Sequence, residues 1–64
     1  MISEFARVLR EKIRTDMNNY ADDLAGGQCR SFDEYKKLCG VIQGLALAER
    51  HLIDLAEKVE KSNE

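Results

Sequence analysis

The second half of the chain carries more apolar surface than a single neighbouring helix can cover. From residue 31 to about residue 61 the sequence keeps a helical period, and it contains no proline. At 3.6 residues per turn, its apolar side chains spread over roughly 200° of the circumference, twice the stripe of an ordinary surface helix. Because the first half supplies only one helix to cover this face, the sequence predicts that the rest packs against another protein molecule.

The chain is predicted to be all-α, an antiparallel two-helix hairpin in one domain spanning residues 1–64. Its only breaker-rich segment is the glycine-containing stretch near the middle. Helix one is therefore expected over residues 3–25, the glycine turn over 26–30 and helix two over 31–60. A turn this short makes antiparallel neighbours the default arrangement.

The expected helix ends carry recognisable capping residues. Ser3 is a preferred N-cap for helix one. Ser31 and Glu34 form the S-x-x-E pattern of a capping box, in which each side chain accepts a hydrogen bond from the other residue's backbone amide. Gly26 is expected to be the left-handed residue that ends helix one.

The register of the two helices follows from the turn, if Ala25 faces Ser31. Helix two is the longer helix and would then overhang the start of helix one. The residues expected to lie beyond that start are Leu55, Ala56 and Val59. Little within the same chain would cover them.

Glu49 is the one charged residue within the apolar face of helix two. A carboxylate in such surroundings needs a partner, and the expected register places Arg7 opposite it, with Arg10 one turn away. We interpret this group as an interhelical ion pair that sets the register, in preference to a binding site. No second carboxylate stands at catalytic spacing, so the sequence favours a protein that is not an enzyme.

A heptad seam runs along helix two, with apolar residues separated alternately by three and four positions. Gly40 and Gly44 lie beside it, although each glycine inside a helix costs about 1 kcal/mol relative to alanine. Either they let another helix approach closely, or they make room for a helix-one side chain such as Tyr20 or Met17. The predicted interface of a homo-oligomer, with a dimeric four-helix bundle favoured, consists of Leu38, Val41, Gly44, Leu45, Ala48, Leu52, Leu55 and Val59.

Length and composition limit the remaining possibilities. At 64 residues the core is small, and such proteins usually need a disulfide, a metal or oligomerisation. Cys29, Cys39 and the single His51 lack the spacing of a zinc site, so we expect two reduced thiols and no metal or cofactor. A net charge of −2 argues against nucleic acid as a partner. There is no membrane-spanning apolar run and no signal-peptide pattern, which favours a cytoplasmic protein.

Three arginines on helix one, Arg7, Arg10 and Arg14, recur at helical spacing and form what we call the arginine stripe. Such a stripe could contact the phosphates of a polyanion. Glu4 and Glu11 reduce its field, so a solvated or ion-pairing stripe is the favoured interpretation.

The segment Tyr35–Glu49 resembles a known group of proteins. It reads YKKLCGVIQGLALAE, and it is similar to the short helical-hairpin proteins of tailed bacteriophages, often encoded among head and portal genes. In them Y-K-x-L-C-G-x-I-x-G-L-x-x-A-E follows a helix end of the A-D-D-L-A type, here residues 21–25. The similarity covers about residues 15–55. It implies a role in virion structure or assembly and no catalytic residue.

Two hypotheses about function remain. The first is a phage assembly protein that self-associates through helix two, meets other phage structural proteins, and resides in the host cytoplasm or the virion. The second is a small phage regulator that binds a host protein or nucleic acid through the arginine stripe. An enzyme is the least favoured of the three hypotheses.

Overall fold

The computed structural model describes residues 3–62, which form two packed α-helices. Helix α1 spans Glu4–Ala25 and helix α2 spans Phe32–Ser62. No strand occurs between residues 3 and 62, so the predicted all-α helical hairpin is confirmed for this part of the chain. Residues 1–2 and 63–64 of the predicted domain lie outside the described residues.

Side-chain caps define where both helices begin. The Ser3 hydroxyl oxygen accepts a hydrogen bond from the Ala6 amide at 3.2 Å, as predicted for an N-cap. The Ser31 hydroxyl oxygen accepts from the Glu34 amide at 3.2 Å. The Glu34 carboxylate, however, accepts from the Arg30 amide at 2.7 Å, one residue before the amide expected for a capping box.

Helix α1 ends in a Schellman motif built on the two glycines. The Gln28 amide donates to the Asp23 carbonyl at 3.1 Å, and the Gly27 amide donates to the Leu24 carbonyl at 3.4 Å. Gly27 is the left-handed residue, with φ 75°, whereas Gly26 is right-handed with φ −81°. The prediction that Gly26 is left-handed is therefore wrong by one position, because the helix keeps its right-handed conformation through its C-cap.

The two helices pack in a register about one and a half turns away from the expected one. Ser3 and Ala6 line a groove together with Leu55 and Val59, so these α2 residues do not lie beyond the start of α1. The expected register assumed a tight turn that places Ser31 opposite Ala25. Residues 28–30 are instead irregular, and they displace the start of α2 from that position. The overhang falls instead at the start of α2, where Phe32 is 71% exposed.

The hairpin has almost no core. Between residues 3 and 62, Ala6 is the only buried hydrophobic residue. The chain measures 51 × 16 × 12 Å and has an accessible surface of 5220 Å². A compact monomer of 7.3 kDa would expose about 4,200 Å². The fold therefore leaves about 1,000 Å² more surface in solvent than a compact monomer of this mass does.

The helix end and the helix interior should respond oppositely to the same glycine replacement. Gly27→Ala places a side chain in the left-handed region and should lower the free energy of unfolding by about 1–2 kcal/mol. Gly40→Ala, the matched control, should raise it by up to about 1 kcal/mol, because an added Cβ meets nothing within 4 Å. Urea unfolding followed by circular dichroism measures both changes. Equal effects would contradict the assigned helix end.

Candidate interaction surface

A buried ion pair joins the two helices near the middle of the hairpin. Glu49 of α2 is 7% exposed and is the only buried charged residue in the described part of the chain. Arg14 Nε donates to its carboxylate oxygen Oε2 at 2.5 Å, and Arg10 Nε lies 3.7 Å from the same oxygen. These arginines stand one turn apart on α1, so the carboxylate lies beside two positive charges and ties the helices together.

Arg7 does not take part in this ion pair. Its guanidinium pairs with Glu4, one turn before it, and with Glu11, one turn after it, where Nη1 and Oε1 are 2.7 Å apart. The hydrogen bond to Glu4 and the charge of Glu11 raise the pKa of Arg7. The predicted contact between Arg7 and Glu49 is wrong because the shifted register brings Arg14 to Glu49 instead.

The arginine stripe is therefore largely engaged within the chain. Each of its three arginines is about half exposed and has a carboxylate partner. Those partners are Glu4, Glu11 and Glu49. A polyanion that bound the stripe would have to compete with three carboxylates, and this arrangement weighs against the nucleic-acid hypothesis.

The heptad seam of α2 is divided between the inside and the outside of the hairpin. Its half-buried members face α1. They are Leu38, Val41, Leu45 and Leu52. The other three members are exposed, and together with Gly44 beside the seam we call them the outer strip: Gly44, Ala48, Leu55 and Val59. Leu55 and Val59 are 61% and 60% exposed, so this side of α2 is apolar and has no neighbour in the hairpin.

The two helix-interior glycines face open space. A Cβ built on Gly40 or Gly44 would meet no atom within 4 Å. The interpretation that they make room for Tyr20 or Met17 is therefore wrong. Nothing between residues 3 and 62 uses the close approach that these glycines permit, and their cost to the helix has no compensation within the hairpin.

Helix α1 adds apolar side chains that the predicted interface did not include. Phe5 is 78% exposed and Leu9 is 37% exposed. Helical projection puts both on one edge of α1 and Arg10 on the opposite edge. Buried Ala6 lies between the two edges. Because α2 runs antiparallel to α1, this apolar edge and the outer strip fall on the same face of the hairpin. The helical spacing of Phe5 and Leu9 is the sequence signal for an apolar edge on α1. Only the observed register shows that α2 leaves this edge uncovered.

The two cysteines are free thiols near the glycine turn. Partial burial raises the pKa of the Cys29 thiol, and the charges of Glu34, Cys39 and Asp23 raise it further. Hydrogen bonding with Cys39 raises the pKa of the Tyr35 hydroxyl. Each effect favours the neutral form, so neither the Cys29 thiol nor the Tyr35 hydroxyl is an activated nucleophile.

Removing both arginine partners of Glu49 should destabilise the hairpin. Arg10→Ala with Arg14→Ala leaves a buried carboxylate unpaired, and we expect the free energy of unfolding to fall by about 1–3 kcal/mol. Arg7→Ala is the matched control, because it breaks only exposed ion pairs and should change stability by less than about 0.5 kcal/mol. Urea unfolding at one fixed protein concentration measures both variants.

A third substitution distinguishes an unpaired charge from lost packing. Adding Glu49→Gln to the double variant should recover most of the lost stability, because the unpaired charge is then gone. Equal losses in the double variant and in Arg7→Ala would show that Glu49 is not the residue that links the helices.

The geometry thus leaves an apolar surface that nothing between residues 3 and 62 covers. No group of three or more histidine, cysteine or acidic residues is placed to hold a metal ion within residues 3–62. No helix in the same range is long and apolar enough to cross a membrane. No known protein family, curated protein or solved structure matches the chain.

Proposed function

We propose that the chain is a non-enzymatic interaction protein that self-associates through the apolar side of α2. Two hairpins would form a dimeric four-helix bundle. The observation that carries this proposal is the missing core, since Ala6 is the only buried hydrophobic residue from residue 3 to residue 62. A hairpin of this size without a core lacks the apolar burial that offsets the entropy of folding.

The uncovered area agrees with the size of an ordinary protein interface. The chain exposes about 1,000 Å² more than a compact monomer of its mass, whereas a stable dimer buries about 800 Å² per subunit. Both cysteines are free, so no disulfide supplies the missing stabilisation. Association would bury the outer strip and so remove from solvent apolar area that the hairpin leaves exposed.

We further propose that this dimer is a virion structural or morphogenesis component of a tailed bacteriophage. The support is the resemblance of residues 35–49 to phage hairpin proteins. The two glycines of that motif, Gly40 and Gly44, lie on the outside of α2, where a partner can reach them. The resembling segment therefore includes surface that the hairpin itself does not use.

Self-association predicts a mass of twice 7.3 kDa at micromolar concentration. Ala48→Arg should abolish it and lower the helix content, because a large charged side chain is placed in the proposed interface. Ala46→Arg is the matched control, since Ala46 is also exposed but projects to the opposite side of α2 from the outer strip. Sedimentation and circular dichroism measure both effects. A folded wild-type monomer would overturn the proposal.

The assembly role predicts that the chain accompanies phage particles. Peptide mass spectrometry should detect it in purified virions, or in immature heads if it leaves before maturation. Deletion of its gene should reduce the yield of complete particles. Absence from both kinds of particle, together with a normal yield after deletion, would contradict this role and leave self-association as a separate result.

A further inference from the structure

We propose that the second copy of the chain docks with its α2 antiparallel to the first α2, about a twofold axis beside residues 45–46. This inference rests on the proposed self-association and adds the geometry of the interface. In this arrangement Gly44 of one protomer faces Ala48 of the partner subunit, and the symmetry repeats the contact. The two α2 helices come closest at this crossing.

The placement of small and large residues supports this register. Gly44 and Ala48 are exposed near the middle of the outer strip, and a Cβ on Gly44 would meet nothing within 4 Å. An axis between them sets small residues against small residues, which lets two helix backbones approach closely. Leu55 then falls opposite Lys37 of the partner subunit, whose aliphatic stem can cover it.

Charge selects the antiparallel direction. Asp33 lies near the start of α2 and Lys58 near its end, and projection puts them on the same edge of the outer strip. Neither side chain forms an ion pair with another residue of the described range 3–62. Antiparallel docking places Asp33 beside Lys58 of the partner subunit, twice by symmetry. Parallel docking would instead place like charges together at both ends, which is unfavourable.

A zero-length carbodiimide cross-link tests this contact in the unmodified protein. Along one straight α2, Asp33 and Lys58 are about 37 Å apart, so a bond between them can form only between two chains. We expect the cross-linked dimer to yield a peptide pair joined at Asp33 and Lys58. A mixture of ¹⁵N-labelled and unlabelled protein should give pairs that contain one peptide of each kind.

Charge exchange gives an independent measurement of the same contact. Asp33→Lys should weaken the dimer roughly tenfold, because two ion pairs become two repulsions. Adding Lys58→Asp should restore the dissociation constant to within about threefold of the wild type. Glu57→Lys is the matched control, since it changes the net charge equally from the opposite side of α2 and should leave the dimer almost unaffected.

The outcomes separate this inference from the proposed function. A wild-type dimer that lacks the Asp33–Lys58 cross-link and is not restored by charge exchange would overturn the antiparallel geometry while leaving self-association intact. A wild-type chain that sediments as a monomer would overturn both. A cross-linked dimer with restored affinity in the exchanged variant supports both.

Discussion

The ion pair between Glu49 and the two arginines of α1 is the interaction on which the hairpin depends. Because little apolar surface is buried, van der Waals packing alone specifies the register of the two helices only weakly. A buried carboxylate discriminates between registers more strongly, because it destabilises the fold in any register that leaves it without a cationic partner. Arg14 at 2.5 Å and Arg10 at 3.7 Å supply that partner in the observed register. The charges therefore exclude alignments in which no arginine reaches Glu49, and the path of residues 28–30 decides among the others.

That alignment also determines what remains outside. Once Glu49 faces α1, the seam residues that project near it, including Leu45 and Leu52, are half-buried. The residues farther round α2 cannot reach α1, because one helix contacts only a limited arc of its neighbour. Leu55 and Val59 consequently stay about 60% exposed. The free surface is thus a consequence of the ion pair and of the width of the apolar face together.

Local features of this fold could be predicted from the sequence, whereas its alignment could not. The cap at Ser3 depends on residues three positions apart, so the pattern is sufficient to identify it. The pairing of Glu49 depends instead on the path of residues 28–30, whose irregular conformation has no sequence signature. Arg14 was missed for this reason. The wide apolar face was visible in the sequence, but only the structure shows which part of it α1 covers.

In the proposed dimer, a hairpin held by one ion pair and lacking a core would couple its folding to its concentration. Binding between copies would stabilise the folded form by mass action, so a dilute chain would be less folded than a concentrated one. The thermodynamic consequence suits an assembly protein, because ordering then occurs where copies accumulate. The charges play a separate part: Glu49 aligns the helices within a subunit, and in the proposed dimer Asp33 and Lys58 align the subunits. In such a system apolar area supplies the affinity, and the few charges near it specify which of several similar packings forms.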